Sequence, residues 1–152
     1  MDFRIEQRFA APLDMVEATL LDPAFTGAVL LSEERDGPVL RRSMRYAFTG
    51  ALSAAVTAVV DPGKLTWVDV SEHDLAAHRS RHHIVPDHYA SRLTCEYETA
   101  MHAAGEHTTR VIVGALRVHM PLVGGRVERA IVSGLVEHAA REEMALPEWL
   151  AS

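Results

Sequence analysis

The chain lacks most of what would mark a secreted, membrane-embedded or nucleic-acid-binding protein. Among its 152 residues there is one cysteine, Cys95. No disulfide can close within the chain, and a reducing cytoplasm is the expected home. No apolar run is long enough to cross a bilayer. The nearest, "GALSAAVTAVV", is too short and closes on Asp61-Pro62-Gly63-Lys64, so no membrane insertion is expected. Positive charge is not in excess: the formal net charge is −6, and the arginines are spread among acids. That balance excludes the basic face expected of a nucleic-acid binder. The opening "MDFRIEQRF" alternates charge with apolarity and reads as no secretory signal. Low-complexity segments, internal repeats and linkers are absent too. What remains is the composition of an ordinary globular protein, of a length that suits one domain over residues 1–152.

Periodicity supplies the elements. Phe3, Ile5 and Phe9 alternate with Arg4, Glu6 and Arg8, as in a half-buried strand whose apolar side Gln7 interrupts. After Pro12 the period lengthens, and Leu13, Val16, Leu20 and Leu21 suit a short helix. Asp22-Pro23 offers an N-cap and a first-turn proline for a second one, through "AFTGAVLL". Asp36-Gly37-Pro38 marks a hairpin. In its second strand Leu40, Met44, Tyr46 and Phe48 share a face, and Arg42 falls among them. "LSAAVTAVV" has helical spacing, and Asp61-Pro62-Gly63-Lys64 is a turn. From Leu65 to Met120 the chain reads as successive strands, with Leu93, Cys95 and Tyr97 facing one way in the third and "TTRVIVGALRVHM" apolar on nearly both faces.

The last helix, read from Gly125 to Ala145, is roughly 30 Å long at about 1.5 Å per residue. Arg129, Ser133, Glu137 and Arg141 form its solvent stripe. Val127, Ile131, Val132, Gly134, Leu135, Val136 and Ala139 form an arc far wider than the ~100° of a surface helix. Such an arc fits the concavity of a bent antiparallel sheet. Pro121 ends the preceding strand, and the paired glycines Gly124 and Gly125 suit a sharp turn into the helix.

Strand, two short helices, a run of antiparallel strands and a long C-terminal helix make up the α+β helix-grip order. The chain resembles the START-like superfamily that also holds the birch-pollen-allergen-like proteins and polyketide cyclases (SRPBCC). More narrowly, "MDFRIEQRFAAPLDMVEATLLDP" and "VHMPLVGGRVERAIVSGL" resemble an uncharacterised bacterial family within it. The resemblance covers essentially the whole chain. It implies a cavity between sheet and helix that holds a sterol, lipid, polyketide or similar molecule. It carries over no catalytic residues.

The inward-facing residues are the candidate cavity lining. Ile5, Met44, Tyr46 and Trp67 would supply it from the early strands, Tyr97 from a later one, and Ile131 and Leu135 from the helix. Gln7, Arg42 and His138 would be the sparse polar points. Arg42 on an inward face must be paired, with a carboxylate such as Asp69 or with an anionic ligand head group. His138 reads either as a partly solvated residue near a frayed end or as a polar contact at the cavity mouth. Tyr97 reads as a wall residue with a satisfied hydroxyl, and Cys95 as a small core hydrophobe.

Metal and nucleophile signals are weak. In "HRSRHH", His78 and His82 share a strand face but lie about 13 Å apart at ~3.3 Å per residue, and His83 points away. Surface histidines are the plainer reading. Neither HExxH nor Gly-x-Ser-x-Gly occurs, so no metal, cofactor or catalytic residue is assigned. The expected function is a non-catalytic binder of a small apolar ligand. Two alternatives stand beside it. One is a polyketide cyclase- or dehydratase-like enzyme built from Arg42, Asp69, Tyr97 and His138. The other is a protein-interaction module with a filled core.

Overall fold

The structure, a computed structural model, describes residues 1–152. The opening alternation forms strand β1 (Asp2–Phe9), in which Phe3, Ile5, Gln7 and Phe9 are buried in turn. Two helices follow, α1 (Leu13–Leu20) and α2 (Pro23–Thr26). The second is a single turn, capped by the Asp22 carboxylate on the Ala24 N–H at 2.9 Å. It stops at Gly27, whose φ of +73° is open to glycine, and the chain extends from Val29. The helical reading of "AFTGAVLL" therefore holds only for its first residues.

Strands β2 (Val29–Asp36) and β3 (Val39–Ala47) form the hairpin around Gly37, which has φ +59°. The short helix α3 (Ala54–Thr57) buries Val56, and Asp61 caps a single 3₁₀ turn at Pro62–Lys64. Then come β4 (Thr66–Asp74), β5 (Arg79–Pro86), β6 (Leu93–Ala104) and β7 (His107–Val118), and finally α4 (Gly124–Ala151). The strands make one antiparallel sheet in the order β1-β7-β6-β5-β4-β3-β2. Helix α4 lies against β1 and β7. This is the helix-grip fold, and no helix is long and apolar enough to cross a membrane.

Two apolar clusters hold α4 down. Phe3, Ile5, Leu116, Val127, Ile131 and Val132 belong to the larger. The smaller joins Phe9, Ala11, Val16 and Leu146, with Phe25, Leu150 and other half-buried side chains packed against it. This second cluster explains why α4 runs past Ala145. Leu146 is fully buried, and Trp149 meets Phe25 edge to face at 5.5 Å. Pro147 removes one helix donor near an exposed end, a loss that this packing outweighs.

The solvent stripe Arg129, Ser133, Glu137 and Arg141 is exposed as expected, but Val136 is exposed as well and the buried arc is narrower than its apolar sequence. The glycine pair also works differently from the reading above. Both glycines already belong to the helix, and the positive φ before it, +66°, falls on exposed Leu122. Gly124 is needed for closeness, since a Cβ there would sit 2.6 Å from the Val118 carbonyl oxygen.

Candidate functional site

A cavity of about 400 Å³ lies between the sheet and α4, within the ~300–1,000 Å³ of pockets that enclose small ligands. Strand register decides what faces it. Tyr46, Trp67 and Pro86 are directly opposed across β3, β4 and β5, and Ile84, Cys95 and Leu116 across β5, β6 and β7. All six line the cavity, with Phe3 and Ile5 from β1 and Ile131 and Leu135 from α4. The Tyr46 and Trp67 rings stack with centroids 6.1 Å apart. Over the helix, Phe48 fits where Gly134 has no side chain: a Cβ at Gly134 would come within 2.5 Å of that ring.

Of the residues singled out in the sequence, Ile5, Tyr46, Trp67, Tyr97, Ile131, Leu135 and His138 reach this wall, whereas Gln7, Arg42 and Met44 do not. Gln7 is buried as a clamp. Its amide donates to the Ala139 carbonyl at 3.0 Å and to Glu142 Oε1 at 3.1 Å, and accepts from Arg110 at 3.1 Å, tying β1 and β7 to α4. Arg42 and Met44 line a second hollow of about 80 Å³ beside α1. Arg42 does not pair with Asp69. Its guanidinium donates to the Leu21 carbonyl at 2.8 Å, just past α1, and lies 4.0 Å from Glu33 on the neighbouring strand.

Six residues line both hollows: Thr26, Tyr46, Asp69, Tyr97, Arg110 and Glu142. Asp69 is buried and both its oxygens are engaged. One accepts from the Tyr97 hydroxyl, and the other lies 2.8 Å from His82 Nδ1. His82 stacks on the Tyr97 ring at 4.2 Å, and its Nε2 bonds Ser80 Oγ at 2.8 Å. Gly114, opposite Tyr97, lets this packing close, because a Cβ there would meet Tyr97 and Phe3 at 2.5 and 2.6 Å.

The electrostatics follow burial. Desolvation, then the Asp69 and Glu142 carboxylates, push the Tyr46 phenol up to about 12. Burial and Asp69 raise Tyr97 well above the ordinary phenol range. Burial holds the Cys95 thiol at about 12, so it stays protonated at neutral pH and is a poor nucleophile. His73, bonded to Ser71 Oγ at 2.9 Å, is driven down to about 3 by burial and then by His82 and Arg42.

The histidines of "HRSRHH" part company. His83 is outward and exposed, 3.2 Å from Glu96. His78 sits in the turn before β5 and bonds Glu17 of α1 at 3.0 Å. The His82 side chain is only 8% exposed, contrary to a surface reading. No group of three or more His, Cys, Asp or Glu side chains converges as metal ligands would. Exhaustive dialysis against a chelator should leave the thermal midpoint unchanged; a fall of several degrees, restored by zinc, would contradict this.

Arg110 and Glu142 were not singled out in the sequence, although signals for both are there. Thr108, Arg110, Ile112 and Leu116 keep one parity on β7, and that parity is the inward one. Glu142 continues the Ile131, Leu135, His138 and Ala139 spacing inside the helix as read from the sequence.

The sheet order and the long C-terminal helix over it give the chain the helix-grip fold of START-like proteins. It belongs to the family described as "Protein of unknown function (DUF2505)", which matches residues 4–150. No curated protein matches its sequence. Among solved structures, it is similar to the protein TTHA0849 from Thermus thermophilus, with TM-score 0.65, 18% identity and full coverage of both chains. A START superfamily protein from Mycobacterium smegmatis matches with TM-score 0.62 and 14% identity over 97% of this chain and 98% of that one. The Zhui aromatase/cyclase from Streptomyces sp. R1128 matches with TM-score 0.58 and 14% identity over 96% and 90%. At these identities the likeness establishes the fold.

Proposed function

We propose that the protein binds one small, mainly apolar molecule between its sheet and α4, as a carrier or sensor. The supporting observation is the cavity: about 400 Å³ in volume, walled mostly by aliphatic and aromatic side chains, with Asp69, Arg110 and Glu142 among its few charged groups. That is the usual mix of apolar lining and a few orienting polar groups. An interaction module with a filled core has no use for such a space.

A ligand that binds only the folded state raises stability by roughly 2.7 kcal/mol at a hundred times its dissociation constant. Within a panel of fatty acids, sterols and aromatic polyketides, at least one compound should raise the melting temperature dose-dependently. A panel with no such compound would count against the reading.

One observation favours an enzyme as the second reading. Tyr97, Asp69 and His82 form a hydrogen-bonded chain ending on the cavity wall, material for acid–base work of the kind a cyclase needs. A carrier returns its ligand chemically unchanged, whereas an enzyme does not. Incubating the wild type and an Asp69→Asn variant with a bound ligand separates the two.

Unfilled space also sets the cost of truncation. Leu135 is half-buried against the cavity and Leu146 is fully buried in packed side chains. Leu146→Ala should cost about 3–5 kcal/mol and Leu135→Ala less than about 2. Equal losses in urea unfolding would mean that the space beside Leu135 is packed.

A further inference from the structure

The hydrogen-bond inventory of the polar wall is lopsided. Its acceptors are largely taken: both Asp69 oxygens are occupied by Tyr97 and His82, and Glu142 Oε1 by Gln7. Only Glu142 Oε2 is left, 3.7 Å from His138. Two donor groups are not fully used, the Tyr46 hydroxyl and the Arg110 guanidinium. Tyr46 lines the cavity, and its hydroxyl makes no hydrogen bond within the protein, although its ring is held on Trp67. The Arg110 guanidinium, 15% exposed, makes a single hydrogen bond, to Gln7 Oε1 at 3.1 Å, and its Nη1 lies 3.7 Å from Glu142 Oε1 in an ion pair. Its Nε–H is buried with no partner at all. A buried donor without an acceptor is costly, and with the Tyr46 hydroxyl also unbonded this wall is short of an acceptor.

We infer that the ligand of this cavity carries a neutral acceptor oxygen, a ketone or similar carbonyl, which takes a hydrogen bond from the Tyr46 hydroxyl beside the Arg110 guanidinium while its apolar body fills the space under α4. This rests on the binding function proposed above and adds the chemical class of the ligand. Neutrality follows from the same wall. Asp69 and Glu142 flank Arg110 there, whereas the other lining cation, Lys64, is exposed, so a carboxylate head group at Tyr46 would meet two like charges beside one opposite. The phenol stays protonated throughout the physiological range, so the donor is always present.

Matched pairs differing only in the oxygen test this: fluorene with fluorenone, and cyclododecane with cyclododecanone. Affinities are measured by competition and by thermal shift on the wild type and on Tyr46→Phe, which keeps the stacked ring and removes only the donor. The ketones should bind roughly fivefold to tenfold more tightly than their hydrocarbons, the worth of one hydrogen bond. In Tyr46→Phe that preference should collapse to within about twofold, with hydrocarbon affinity unchanged. Fluorene carboxylate should bind more weakly than fluorenone. Equal binding of ketone and hydrocarbon to the wild type, or a ketone preference that survives Tyr46→Phe, overturns the inference and leaves the binding function standing. Tighter binding of the carboxylate overturns the neutral class. Failure of every compound to bind overturns the binding function and the inference with it.

Discussion

Acidification from about pH 6.5 to 4.5 should strip roughly 2 kcal/mol of folding stability from this protein through one side chain, His73. The ring lies between β3 and β5 on the inner face, opposite Leu40 and Ser80 and edge-on to His82 at 5.3 Å. Burial, then the neighbouring His82 and Arg42, lower its pKa from the ordinary 6.5 to about 3, and Asp69 opposes them only in part. In the unfolded chain the imidazole recovers its ordinary value and takes up a proton that the folded state refuses. Stability from this group is therefore full above about pH 6.5 and falls as the pH drops toward 3, with a limiting slope of about 1.4 kcal/mol per pH unit. The ring is half-buried, so water screens part of that slope. His73→Gln keeps a polar side chain that does not titrate in this range. Urea unfolding at several pH values should show a shallower acid loss in the variant, by about 1–2 kcal/mol over the interval. Parallel profiles for variant and wild type would mean that the imidazole is solvated when folded.

The second large effect concerns ligand binding. Ile131 is buried, two turns into α4, and on the cavity wall. Trp in its place projects an indole into open space rather than into packed atoms. Overpacking a filled core costs about 1–3 kcal/mol, but here the cavity takes up the added volume. Ile131→Trp should therefore fold cooperatively and melt near the wild type while losing every ligand-induced rise in melting temperature. A variant that unfolds would show the space to be closed. A variant that binds as before would place the ligand elsewhere.

Legibility from sequence tracked how local the deciding physics is. β1 could be read because its alternation is its burial pattern, and α4 because its apolar arc repeats at helical spacing. The end of α4 could not. Pro147 is a stop signal taken alone, and only the long-range meeting of Leu146 with Phe9 and Val16 overrides it. Arg42 was rightly placed on an inward face, but its partner proved to be a backbone carbonyl 21 residues away, which no side-chain pattern announces. His82 and Asp69 lie 13 residues apart on adjacent strands. Their pairing depends on register, and register is set by the whole sheet rather than by either strand. For the same reason Gln7, read as a polar point of the cavity, became a clamp on the Ala139 carbonyl. Of the polar wall, Asp69, Tyr97 and His138 had been singled out, whereas Arg110 and Glu142 had not and His82 had been read as a surface residue.

Native mass spectrometry of gently purified protein tests the central claim most directly. The account predicts a population heavier than the bare chain by the mass of one small molecule, reproduced by adding a single equivalent of a compound that raises the melting temperature, and missing from Ile131→Trp. A wild-type protein that shows only its bare mass, both as purified and after incubation with the whole apolar panel, would contradict it.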